Sequence, residues 1–97
     1  MILNNIFGKC MSIYDVFPRI YWTKRNPMKT IEDKVKKLVE ETEEVLSAQN
    51  DMDRLDETFD ALHCCIEIIR DYPDELVDEA LAFHNVKNRQ RGYYEPK

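Results

Sequence analysis

Between residues 40 and 60 the chain carries nine acids, Glu40, Glu41, Glu43, Glu44, Asp51, Asp53, Asp56, Glu57 and Asp60, against a single base, Arg54. Carboxylates in such number suit hard divalent cations, Mg²⁺ above all, which take oxygen ligands. Like charges three or four positions apart on a helix repel by about 0.2–0.5 kcal/mol a pair, so something must offset the repulsion. Two arrangements would do so: a solvated acidic helix face, which is what most charge runs are, or a cation site assembled from two helices. Helical register distinguishes them.

The first long helix is expected to begin at Thr30 as N-cap, with Glu32 and Asp33 in the first turn, where the helix dipole favours acids. Ile31, Val35, Leu38, Val45 and Leu46 fall on one side of it at about 100° per residue. Lys37, Glu41, Glu44 and Ala48 form a stripe on one flank of that face, and Glu40 and Glu43 lie further round, so Glu41 and Glu44 are expected at the edge of the core. A turn follows over 47–53, with Asn50 as C-terminal cap and Asp51 or Asp53 as the next N-cap.

The second helix carries two apolar lines. Leu55, Phe59, Leu62, Ile66 and Ile69 make one, and Glu57, Ala61, Cys64 and Ile68 the other, so Glu57, with Asp60 one turn on, stands at the end of a buried stripe. Acids that continue an apolar stripe are costly to desolvate unless they are paired or bind a metal. The flank of the first helix offers further acids, not bases, which favours the cation site; facing helices of a bundle build metal sites in this way. Tyr72-Pro73 stops the second helix and starts a third, whose core side is Leu76, Val77, Ala80, Leu81 and His84, with Asn88 and Arg91 extending the line as polar groups and Gly92 ending it.

Composition bounds the rest. Ninety-seven residues with two glycines make one domain near the lower end of self-sufficient size. The fold class expected is all-α: a bundle of three main helices over 30–97, preceded by a short helical arm over 1–29 whose aromatics Tyr14, Phe17, Tyr21 and Trp22 pack on the helices, and completed by oligomerisation. A two-stripe second helix cannot be covered by its own chain, which points to a symmetric partner on the Cys64 and Ile68 side. Cys10, Cys64 and Cys65 fit neither a disulfide framework nor a zinc site and read as small buried hydrophobes. The net charge of −5 argues against nucleic acid as partner, the apolar runs are too short for a membrane span, and the N-terminus lacks the pattern of a secretory signal, so a cytoplasmic protein is expected.

At these residues the chain resembles the MazG-like all-α nucleoside triphosphate pyrophosphohydrolases, whose hallmark is an EExxE set on one helix and ExxD on the next. Glu40-Glu41-Thr42-Glu43-Glu44 supplies the first and Glu57-Thr58-Phe59-Asp60 the second, with a compact linker between them, and Lys87 to Tyr94 is similar to a third element of several members. The resemblance covers about residues 30–94 and implies Mg²⁺-dependent cleavage (Mn²⁺ substituting) between the α and β phosphates of a nucleoside triphosphate by a homodimer or homotetramer. It implies that Glu41, Glu44, Glu57 and Asp60 hold the metal. By the same resemblance Glu40, Glu41 and Glu44 would form the catalytic set, with Glu40 either supporting the ligands from behind or helping to orient the attacking water. Lys37, Lys87 and Arg91 would meet the phosphates, and Asn88 the sugar or a phosphate oxygen. A phosphoribosyl-ATP-cleaving enzyme of the same superfamily and a non-catalytic acidic helical interaction protein are the alternatives. A di-iron carboxylate bundle is disfavoured, because Asp60-Ala61-Leu62-His63 has no second acid-x-x-His pair to match it.

Overall fold

The computed structural model describes residues 2–4, 10–12, 16–21 and 30–96. Three helices carry the chain from residue 31 onward: α1 (Ile31–Ser47), α2 (Asp51–Ile69) and α3 (Asp74–Gln90). They are preceded by two short strands, β1 (Ile2–Asn4) and β2 (Cys10–Ser12), paired antiparallel with Leu3 opposite Met11. The three-helix architecture is the expected one, and the hairpin is an addition that the sequence pattern did not signal. Val16 has helical backbone and 18–21 follow without regular structure. The rest of the expected arm, including Tyr14, Trp22 and the approach to Pro27, lies outside the described residues.

The helix ends follow from local chemistry. Thr30 closes a reciprocal capping box: its hydroxyl accepts from Asp33 N at 3.1 Å, and Thr30 N donates to Asp33 Oδ2 at 3.2 Å. Asn50, expected to close α1, instead opens α2, its Oδ1 accepting from Asp53 N at 2.9 Å. A short amide or carboxylate in extended backbone satisfies an N-terminal N–H more readily than it ends the helix before it. The last turn of α1 has no base of its own, and Arg54 of α2 reaches back to donate to Ala48 O at 3.2 Å. At the far end of α3, Gly92 takes φ 75°, with Gly92 N donating to Arg89 O and Tyr93 N to Asn88 O, a Schellman closure that asks for glycine.

α1 and α2 pack as an antiparallel pair, but not on the faces that hydrophobicity alone suggests. The buried residues of α1 are Lys34 and Glu41, and Val35 and Leu46 of the expected core stripe are exposed, Leu46 at 85%. The inward line is therefore Lys34, Leu38, Glu41, Val45 and Ala48, which puts Glu41 within the helix contact and not at its edge. On α2 the inward line is Glu57, Ala61, Cys64 and Ile68, with Cys64 buried by its own chain. Leu55, Phe59 and Leu62 remain exposed, so the side that lacks cover is the one opposite to expectation. α3 has no buried residue, and its expected core side, Leu76, Val77, Ala80, Leu81 and His84, is open or half-open. Its first two turns diverge from the end of α2 around an apolar cleft of about 700 Å³ lined by Ile66, Ile69, Tyr72, Val77 and Leu81 among others.

A polar clamp at the C-terminal half of α2 holds residues 17–20. Arg70 Nη2 donates to Phe17 O at 2.6 Å, Ile20 N donates to Glu67 Oε1 at 3.1 Å, and His63 Nε2 lies 2.6 Å from Pro18 O. Phe17 sits between the rings of Phe59 and His63 and shares the small core with Ile66. Glu67 is 1% exposed and pairs with Arg70 at 2.5 Å, and Lys34 Nζ donates to Glu67 O at 3.1 Å and to Asp71 Oδ2 at 2.8 Å. Removing one partner of a buried pair strands the other charge. Arg70→Ala is accordingly expected to destabilise the chain by about 3 kcal/mol, read as a lower urea midpoint at unchanged slope.

Candidate metal centre

The antiparallel pairing of α1 with α2 brings the N-terminal half of α2 beside the C-terminal half of α1, and the two acid motifs converge there. One carboxylate oxygen from each of Glu41, Glu44 and Glu57 lies within 4.8 Å of the other two. A second trio, Asp56, Glu57 and Asp60, meets the same limit and shares Glu57 with the first. The expected set Glu41, Glu44, Glu57 and Asp60 is therefore gathered, as two groups joined through Glu57. Asp56 was not singled out in the sequence, although its position one turn before Asp60 was the signal available for it.

Glu41 is 6% exposed, and Glu57 is half-buried. The Oε2 atoms of both are inaccessible and have no hydrogen-bond partner among the described residues. Among the described residues the one ion pair reaching the cluster comes from Lys37, with Nζ 3.1 Å from Glu41 Oε1; the same Nζ lies 3.6 Å from Glu40 Oε2 outside it. The crowding registers in the acidities. A hydrogen bond with Glu44, partial burial and the charges of Glu44, Asp60 and Glu41 push Glu57 up to about 7. Burial, then the charges of Glu41 and Asp56, raise Asp60 above its ordinary value. The thiol of Cys64, further along the same inward line, is pushed up to about 11, chiefly by burial. Lys37 is shifted upward by its hydrogen bond to Glu41.

The two ends of the α1–α2 contact answer the same electrostatic problem differently. At one end Glu67 and Asp71 meet Arg70 and Lys34. At the other, Glu41, Glu44, Glu57 and Asp60 meet Lys37 alone among the described residues. Glu67, like Glu41, keeps an unpartnered Oε2 beside an ion-paired Oε1, but around Glu41 several carboxylates share a single lysine among the described residues. At the acid end charge and hydrogen-bonding capacity are both left open, and carboxylates so placed fit a divalent cation with oxygen preference.

Other sequence-derived positions lie apart from this centre. Glu40 is exposed and contacts Lys37 only at the longer distance. Lys87, Asn88 and Arg91 belong to the end of α3, and among the described residues no hydrogen bond or ion pair joins them to the acids. Asn88 Nδ2 lies 3.1 Å from His84 Nε2 and 3.4 Å from Tyr94 Oη, while Tyr94 donates to Asn85 Oδ1 at 2.9 Å and the Arg91 guanidinium stacks 6.0 Å from the Tyr93 ring centre. These contacts tie the end of α3 to the chain that follows it. The Lys34, Glu67, Arg70 and Asp71 network was not anticipated, because charged residues spaced along an inward line read as surface until their partners on the other helix are known.

Comparison with protein families, with curated proteins and with solved structures finds no match to this chain. Among the described residues no helix is long and apolar enough to cross a membrane.

Proposed function

We propose that the chain is a Mg²⁺-dependent hydrolase that cleaves a nucleoside triphosphate between its α and β phosphates, releasing nucleoside monophosphate and pyrophosphate. The observation that carries this is the pair of buried, unpartnered carboxylate oxygens of Glu41 and Glu57 within two acid trios that share Glu57 and that, among the described residues, are ion-paired through Lys37 alone. The motif resemblance supplies the reaction. Glu41, Glu44 and Glu57 would hold the ion, and Asp60, gathered with Asp56 around the shared Glu57, would complete the set. Bound there, Mg²⁺ supplies neutralisation of phosphate oxygens, which is most of what phosphoryl transfer asks of a protein.

The chain's own residues do the rest. Glu40 is outside the cluster and is the acid left to orient the attacking water and accept its proton. Lys37, at the rim of the site, can meet a phosphate. Lys87, Asn88 and Arg91 would join the site only through a rearrangement of α3 or from a second copy of the chain. The exposed stripes Val35, Val39 and Leu46 on α1, and Met52, Leu55, Phe59 and Leu62 on α2, favour a homo-oligomer in which they are covered. Leu55→Arg is then expected to lower the mass measured by sedimentation to that of a monomer, or to leave the protein insoluble. An unchanged oligomer would exclude this face.

The test of the activity is pyrophosphate release from a panel of ribo- and deoxyribonucleoside triphosphates and phosphoribosyl-ATP, with and without Mg²⁺. Metal-dependent release establishes the reaction and ranks the substrates. Absence of release from all of them leaves the second reading, a non-catalytic acidic helical protein, for which the solvent-facing Glu40 and Glu43 speak.

A further inference from the structure

The two oxygens of Glu41 have unlike surroundings: Oε1 meets Lys37 Nζ at 3.1 Å, and Oε2 is buried without a partner. The Lys37 side chain is 39% exposed and that of Glu41 7%, so the lysine is the member of the pair with room to move. Lysine placed four residues before glutamate is the weaker of the two helical orders. Local helix preference therefore does not account for the position of Nζ, whereas the surplus of negative charge around Glu41 does. A compact ammonium on a flexible four-carbon stem can occupy such a place and leave it without disturbing the backbone.

We propose that Lys37 is a resident counter-ion of the acid cluster, which a divalent cation displaces from Glu41 and which then binds the polyphosphate of the substrate. The proposal rests on the metal reading above. Two cations cannot both take full benefit of one buried carboxylate, because each raises the potential felt by the other. Once the ion shares Glu41, Nζ swings to the rim, where the next anion to arrive is a phosphate. Lys37 thus keeps the metal-free helices from repelling each other and adds a positive charge beside the substrate only when the metal is in place.

The proposal requires two opposite signs. In calorimetric titrations at low ionic strength, Mg²⁺ and Mn²⁺ are expected to bind Lys37→Met about tenfold more tightly than wild type, because a competing cation is gone. Inorganic tripolyphosphate is expected to bind the Mg²⁺-saturated variant about tenfold more weakly, because a charge-assisted contact is lost. A lysine that merely supported the helix would move both affinities down or neither. Metal binding that is unchanged or weaker in Lys37→Met overturns the proposal, and so does unchanged or tighter tripolyphosphate binding. If neither wild type nor variant binds either ion, the metal reading falls with it; a wrong sign with wild-type binding intact strikes the lysine alone. Methionine keeps the stem and the helix propensity, circular dichroism checks the fold, and Lys37→Gln provides a second variant with the same expected signs.

Discussion

Glu41→Gln is expected to lower Mg²⁺-dependent pyrophosphate release by about a thousandfold or more, since it removes a buried ligand from the ion that neutralises the transferring phosphate. The same variant should lose the rise in melting temperature that Mg²⁺ gives wild type. Its metal-free form, however, should be no less stable than wild type. Glu41 faces Glu44, Glu57 and Asp60 and among the described residues is compensated by Lys37 alone, an i,i+4 pair whose lysine is partly exposed and which contributes at most about 1 kcal/mol. Neutral Gln relieves three repulsions and gives up one modest attraction. Functional sites commonly carry stability costs of this kind. Thermal unfolding of both proteins with and without Mg²⁺, beside the pyrophosphate assay, separates the cases: a Gln variant that melts well below wild type without metal would mark Glu41 as a structural partner of Lys37.

Much of this centre was legible in the sequence because helical register is a local property. Glu41 and Glu44 one turn apart, and Glu57 and Asp60 one turn apart, must share faces wherever their helices go, and a short linker makes the helices antiparallel neighbours. The structure adds what register cannot carry, namely which face turns inward. Val35 and Leu46 are more apolar than Lys34 and Glu41, yet the latter are buried. Lys34 reaches Glu67 O and Asp71 across the contact, and that partnership lies 33 and 37 residues away in the chain. Periodicity has no term for a buried charge whose counter-charge is on another helix, so it rotated α1 away from its true inward line.

The same limit explains the second helix. Leu55, Phe59 and Leu62 form the stronger hydrophobic line and Glu57, Ala61, Cys64 and Ile68 the weaker, but the weaker line faces α1. Small residues such as Ala61 and Cys64 let two helices approach closely, which brings acids on both into one cluster. Among the described residues Phe17 covers the stronger line at Ile66 and touches the still exposed ring of Phe59. Asn50 shows a similar ambiguity on the scale of one residue. Asparagine suits both ends of a helix, and the Asp53 amide three residues on decides for the start of α2.

Stability without metal should fall as pH rises through neutrality, and Mg²⁺ should cancel the fall. Glu57 is pushed up to about 7 in the fold from an ordinary value of 4.5, first through its hydrogen bond with Glu44, and Asp60 is shifted the same way by burial and by Glu41. A carboxyl group whose acidity is weakened by folding binds its proton more tightly in the folded state than in the unfolded one. The stabilisation from that proton is fully present below about pH 4.5 and is lost as pH climbs to about 7, where the folded group ionises too. The metal-free melting temperature is therefore expected to drop between about pH 5 and 8. Mg²⁺ needs the carboxylates ionised, so its binding strengthens over the same interval and releases protons at the acid end of it. Melting curves at half-unit pH steps, with and without Mg²⁺, should diverge upward from about pH 6, and Glu57→Gln should flatten the metal-free curve and remove the divergence. Curves that run parallel across the whole range would show that Glu57 and Glu44 do not share a proton and that no ion enters between them.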